Sequence, residues 1–412
     1  MSYGEAMRPA PTTALLALLL AGCSSGGGDS PASPPSAGSA PPPSSSTPPS
    51  GSPAPRAGGS SGGVAPPPAG SAPPPTSEPF AASALYVLGD SLSDVGNAAG
   101  AADYLLNLVI DPPTVGLCNP ADVLVVPRRC DDLFYEQSRV TDGAVAVEHL
   151  PAHLGLGELE PSLHVVPGRS KTATAYAVAS AKARGADEKD LARQVDWLVL
   201  DHAPLPADAV YVVMIGGNDA IDALQADVAS PAASPRPSAA IVTSAVAAVG
   251  AAVERLLDFG ARRLVVANVP DLAVLPAVRA EARAGGDEAG TLAAAGAISE
   301  AFDRELDALL DEIEARGEWD APEPPGIVRF DLRSALASTR VAAAAAGSNG
   351  DDACFDSEAY RAADDAARSF HPDCEPATAD GEPRFSRFVF WDGIHPTGAA
   401  HAAIGVALSS HF

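Results

Sequence analysis

Residues 86–97 read YVLGDSLSDVGN. An apolar run halts at Gly89, Asp90 and Ser91, so a buried strand would end by presenting a hydroxyl. Near the other end of the chain stands Phe390-Trp391-Asp392-Gly393-Ile394-His395-Pro396-Thr397. An Asp three residues before a His can fold back to accept the imidazole Nδ1–H. That contact fixes the tautomer and leaves Nε2 free as a base. A serine hydroxyl is a weak nucleophile at neutral pH and needs such a base. Gly393 permits the tight turn, and Pro396 suits the first position of a closing helix. A third stretch, Ile215-Gly216-Gly217-Asn218-Asp219, offers an amide side chain after another apolar run. Taken singly, each piece is an ordinary turn, loop or capping pair. Taken together they supply a nucleophile, a base, its orienter and a hydrogen-bond donor.

These residues need a scaffold that brings distant positions together. Ala84–Leu88, Ala209–Ile215, Arg263–Asn268 and Ile327–Phe330 are continuous apolar runs of strand length. Such runs suit strands covered on both faces. Helical patterns fill the intervals at about 187–200, 238–259, 289–316 and 396–408, the third with Ile298, Phe302, Leu306, Leu309, Leu310 and Ile313 three or four apart. The alternation predicts an α/β fold, a parallel sheet with helices on both sides. Binding sites in such sheets lie beyond the carboxyl ends of the strands, where Ser91 and Asn218 both fall.

At this point the chain resembles the GDSL or SGNH hydrolases. The matching stretches are GDSLSDVGN at 89–97, IGGND at 215–219 and FWDGIHPT at 390–397, with SRVTDGAVAVEHL at 138–150, GARRLVVANVPDLAVLP at 260–276 and HPTGAAHAAIGVAL at 395–408. The resemblance spans roughly 84–412. It implies a three-layer α/β/α, flavodoxin-like fold on a five-stranded parallel sheet. It implies a serine esterase or lipase that needs no metal or organic cofactor. Ser91 would be the nucleophile, His395 the base and then the acid, and Asp392 its orienter. The oxyanion hole would comprise the Ser91 N–H, a second backbone N–H and the Asn218 amide. For that second N–H the best match is Ala175-Tyr176-Ala177-Val178-Ala179-Ser180-Ala181, where Ser180 stands in place of the family's glycine and Ala175 in place of its asparagine. A backbone N–H survives that change, but a glycine-only conformation would strain Ser180. Asp94, Asn97 and Asp219 read as loop organisers.

The chain has 412 residues and a formal charge of −26, which argues against nucleic acid and against anionic lipid as direct partners. ALLALLL at 14–20 follows Arg8 and is too short to span a bilayer. It fits the core of a signal peptide over residues 1–22. Leu20-Ala21-Gly22-Cys23 resembles a bacterial lipoprotein signal, which implies lipid on Cys23. The following Ser24 then points to the outer membrane or cell surface, and plain secretion is the alternative. Residues 23–79 are rich in Ser, Pro and Gly and cannot bury enough apolar surface to order themselves, so a tether is expected there and a hydrolase domain over 80–412. Membrane contact is expected through the lipid alone, and the protein is expected to be monomeric.

Four further cysteines in an exported chain read as disulfides. The short loops Cys118–Cys130 and Cys354–Cys374 are favoured among three possible connectivities. His149 and His153 are four apart, but Pro151 intervenes and no third ligand is evident, so a helix start is expected and no metal site. His401 reads as structural, His371 as an exposed loop residue, and Asp351-Asp352 with Asp364-Asp365 as solvated surface. The substrate is expected to be a small-molecule or lipid ester. A carbohydrate acetyl-esterase and a phospholipase-type acylhydrolase remain open within the enzyme class. Outside it, the Ser180 substitution leaves room for a non-catalytic binding lipoprotein on a hydrolase scaffold.

Overall fold

The apolar runs become the central sheet in the computed structural model, which describes residues 81–98, 139–164, 166, 169, 171–316, 326–356, 370–374 and 385–412. Cys23, Cys118, Cys130, Asp364 and Asp365 lie outside the described residues. Pro79–Phe412 forms one compact unit. In chain order its elements are β1 (Leu85–Gly89), α1 (Leu150–Leu154), α2 (Leu191–His202), β2 (Val210–Met214), α3 (Gly217–Ala229), α4 (Pro237–Asp258) and β3 (Arg263–Ala267). Then follow α5 (Pro276–Gly285), α6 (Glu288–Arg316), β4 (Gly326–Phe330), α7 (Leu332–Ala345), β5 (Asn349–Ala353), β6 (Phe388–Phe390) and α8 (Gly398–Ser409).

Strands β1 to β4 pair in parallel in the order β1-β2-β3-β4. Every residue of β1 and β2 is buried, as continuous apolar runs require when helices cover both faces. Helices α2, α3, α4 and α6 pack among themselves, and α8 packs with α1 and α7. The two groups give the three-layer α/β/α arrangement. Helix α4 is 22 residues long and apolar enough to cross a membrane by composition, yet Val242, Ala245, Val249, Val253 and Leu256 on it are buried core.

The expected fifth strand is reduced to a segment, Thr174–Val178, lying along the outer edge of β1. Val87 N donates to Thr174 O (2.9 Å), Tyr176 N to Val87 O (2.7 Å) and Val178 N to Gly89 O (3.2 Å), but only Val87 and Ala175 form a bridge. At Gly89 the buried Gln194 of α2 competes for the backbone. Its Oε1 accepts from Gly89 N (2.8 Å) and its Nε2 donates to Gly89 O (2.8 Å). The side chain thus takes the Gly89 N–H out of the ladder and shares the Gly89 carbonyl with Val178 N.

Two helix starts differ from expectation. Helix α2 begins at Leu191 because Asp190 turns the chain, its Oδ2 accepting from Asp187 N and its Oδ1 from Lys182 N (both 2.8 Å). Helix α8 begins after Pro396. Thr397 is its cap, with Oγ1 accepting from Ala400 N at 3.2 Å. Helices α3, α5 and α7 are additional to those expected, and so is the small parallel sheet of β5 and β6.

Candidate active site

Strand β1 delivers its last residue against β2 with no room to spare. A Cβ on Gly89 would lie 2.3 Å from Met214 O, so only glycine lets the strands pair up to this point. The chain then turns on Asp90, whose Oδ1 accepts from Leu92 N (3.1 Å), and Ser91 emerges partly exposed. Farther round the turn, the buried Asp94 accepts four backbone N–H groups. Gly96 and Asn97 donate to Oδ1 (2.8 and 2.6 Å), and Ala98 and Ala179 to Oδ2 (3.1 and 2.7 Å). Asn97 donates to Ala175 O (3.0 Å) and Ala177 O (2.8 Å). The loop after β1 is therefore laced to residues 175–179 by two side chains.

The turn that carries His395 is anchored as firmly. Asp392 Oδ1 accepts from Ile394 N (2.9 Å) and His395 N (2.8 Å), while Trp391 N donates to His395 O (2.8 Å). Thr397 Oγ1 donates to Phe388 O (2.8 Å). Thr141 Oγ1 donates to Pro396 O (2.7 Å) and Asp142 Oδ1 accepts from Gly398 N (2.7 Å). The Cα of Gly398 lies 3.1 Å from where a Cβ on Gly143 would sit, so two glycines allow these backbones to touch.

Ser91, His395 and Asp392, 304 residues apart at the extremes, meet in one line. His395 Nε2 is 2.9 Å from Ser91 Oγ. His395 Nδ1 is 2.9 and 2.8 Å from the two Asp392 oxygens. Asp392 and His395 are buried at 5 % and 8 % exposure. Burial alone would raise the Asp392 pKa, but the facing His395 and the two backbone donors outweigh it and hold the carboxyl below its ordinary range. An ionised Asp392 requires the proton on Nδ1, which makes Nε2 the acceptor for the serine hydroxyl.

Asn218 sits in the first turn of α3, after Gly216 takes a left-handed conformation (φ 118°) that a side chain would block against Phe302. Its Nδ2 donates to Ala181 O (3.0 Å), which places it next to the residue after Ser180. An amide nitrogen carries two N–H groups, so one stays available. Asp219 is fully buried and holds the 181–184 segment, its Oδ2 accepting from Ala183 N (2.7 Å) and its Oδ1 from Arg184 N (3.3 Å). Ser180 has φ 60°. With Ala181 N donating to Val178 O (3.1 Å), it is the third residue of a β-turn, the position at which positive φ favours glycine. The strain expected of a serine there is present.

Residues that the motifs did not single out also belong here. Asp90 is buried, and burial pushes its carboxyl up to about 7 against the N–H groups of Leu92 and Gly217 and the nearby His395. Lys189 is 6 % exposed and its Nζ donates to Ser180 Oγ (3.3 Å). Neither signal is a spacing: Asp90 looks like a turn residue and Lys189 like a solvated charge. His401 is buried in α8, accepting from Ala146 N on Nδ1 (3.2 Å). His149, by contrast, packs beside Gly405.

No curated protein matches the chain. The family model described as GDSL-like Lipase/Acylhydrolase matches residues 85–408. That stretch runs from the first residue of β1 into the last turn of α8 and encloses every contact above, so the chain belongs to the GDSL-like lipase/acylhydrolase family and is a hydrolase acting on ester bonds.

Proposed function

We propose that the protein cleaves carboxylic esters through an acyl-enzyme on Ser91. The observation that carries this is the continuous path from Ser91 Oγ through His395 to Asp392. Ser91 Oγ attacks the ester carbonyl while its proton passes to His395 Nε2. The imidazolium, stabilised by Asp392, then gives that proton to the departing alkoxide. Water reverses the sequence and frees the acid. The Ser91 and Ser180 N–H groups and the Asn218 amide are the donors for the oxyanion.

Ser91→Ala should lower p-nitrophenyl ester turnover on the order of 10⁴-fold or more and abolish fluorophosphonate labelling, with the circular dichroism spectrum unchanged. Undiminished turnover in that variant would refute the assignment. A wild-type protein that is folded yet unreactive toward the probe would instead support a binding module.

Export as a lipoprotein is part of the same reading. Cleavage before Cys23 would leave a lipidated cysteine on a tether reaching to residue 79. Supporting it are the ALLALLL run with its Leu20–Cys23 ending and the disulfide joining Cys354 to Cys374, a bond that persists in oxidising compartments. Cys23→Ser should move the esterase from the membrane pellet to the soluble fraction. Retention in the pellet would rule the anchor out.

A further inference from the structure

Ser180 stands where the resemblance places a glycine, and the buried Lys189 stands behind it. Ser180 Oγ donates to Ala179 O (2.6 Å) and accepts from Lys189 Nζ (3.3 Å). Ala179 C=O and Ser180 N–H belong to the same peptide group. A hydrogen bond donated to an amide oxygen draws electron density from its nitrogen and makes the N–H a stronger donor. Chains of hydrogen bonds reinforce one another in this way, most of all where water is excluded and one member is charged.

We propose that Lys189 is a positioning and polarising residue for the oxyanion hole, acting through the Ser180 hydroxyl on the peptide whose N–H faces the substrate. The proposal rests on the esterase reading and goes beyond it. A serine at a glycine position then has a purpose that its strain otherwise lacks: glycine would carry the N–H but no link to the cation.

The surroundings hold both partners in place. Ala179 N, one peptide group earlier, is bound to Asp94, so the residue that leads into the Ala179–Ser180 peptide is tied to the nucleophile loop. Lys189 O accepts from Gln194 Nε2 (2.7 Å), the same nitrogen that binds Gly89 O, so the lysine is tied to the end of β1. The relay and the nucleophile thus share two anchors. Because the developing charge on the oxyanion exists only in the transition state, a stronger donor should act on kcat rather than KM.

The test is a double-mutant cycle in the full chain with p-nitrophenyl acetate. Ser180→Ala keeps the N–H and the backbone strain but removes the hydroxyl. It should lower kcat about tenfold with KM unchanged, and Lys189→Met should do the same. The double variant should lose no more than either single one. Wild-type kcat in Ser180→Ala, losses that multiply to about a hundredfold in the double variant, or losses confined to KM would each overturn the proposal. If Lys189→Met does not fold, Ser180→Ala alone decides, read against fluorophosphonate labelling at Ser91. Wild-type protein that is unlabelled and inactive would remove the esterase reading first, and the proposal with it.

Discussion

At the scale of single residues, the site is surrounded by buried ionisable groups whose effects on stability oppose one another. Asp90 is pushed up to about 7 by burial. The folded protein keeps that proton while the unfolded chain has released it, so Asp90 makes stability fall as pH rises from about 4 to about 7. His401 is pushed down to about 3, again by burial first and then by the neighbouring His395 and His149. The unfolded chain takes up a proton below about 6.5 that the folded protein refuses, so His401 makes stability fall as pH drops from about 6.5 toward 3. The two slopes overlap between pH 4 and 6.5 and offset each other. Asp90→Asn removes only the first. Urea unfolding between pH 4 and 8 should therefore show the variant losing stability on acidification more steeply than wild type, by a few kcal/mol in all. Parallel curves would show that Asp90 does not titrate there. None of this is legible in the motif, because GDS says which residues are adjacent and not that the carboxyl beside Ser91 is buried. What was legible is the grouping: Asp392 and His395 are local to one turn, and such a pair points to a partner hydroxyl, which Ser91 provides at 2.9 Å.

Among the elements, the small β5–β6 sheet has the clearest bearing on the site. Cys354 N donates to Phe390 O (3.0 Å) and Phe355 N to Trp391 O (2.7 Å), immediately before Asp392. Trp391 is fully buried, stacked on Phe355 and edge-on to Phe370 and Phe385. The Cys354–Cys374 disulfide closes this clasp across a separation of 20 residues. Replacing both cysteines by serine should lower stability by about 3 kcal/mol, and dithiothreitol on wild type should match it. Because the clasp grips the residue before Asp392, kcat should fall as well. Full activity after reduction would mean that the apolar cluster holds the turn without the bond. Composition could not have revealed β5, whose residues Asn349-Gly350-Asp351-Asp352-Ala353 are polar and are fixed by Arg279 and Arg340 on Asp351. The four apolar strands were legible to within a residue or so, since each is covered on both faces. The fifth was not, because it bridges β1 at one residue pair and a glutamine 105 residues from Gly89 takes the Gly89 N–H. Helix α3 was hidden for a different reason: it opens on Gly-Asn-Asp, which reads as a loop until Gly216 is seen to turn left-handed into it.

For the whole molecule the governing quantity is charge. Of the net −26, almost all lies beyond residue 78, since the earlier residues hold only Glu5, Asp29 and Glu78 against Arg8 and Arg56. The arginines are outnumbered where they sit. Arg329 faces Asp307, Asp311 and Glu314, and Arg333 faces Glu300 and Asp303. These pairs are mostly exposed and each contributes little, about 0–1 kcal/mol. Long-range repulsion among the unpaired carboxylates acts against them and weakens the compact state. Salt separates the two effects by range. Raising it from about 0.01 M to about 1 M shortens the screening length from about 30 Å to about 3 Å. That removes repulsion across the surface but leaves contacts near 3 Å largely intact. The melting temperature should therefore rise with sodium chloride, and most of the rise should come below about 0.1 M, where the screening length is already near 10 Å. A melting temperature that falls with salt would mean that the arginine clusters outweigh the repulsion. The same field should repel anionic lipid, so on the proposed lipid anchor vesicle binding at low salt should depend on Cys23 and vanish in Cys23→Ser.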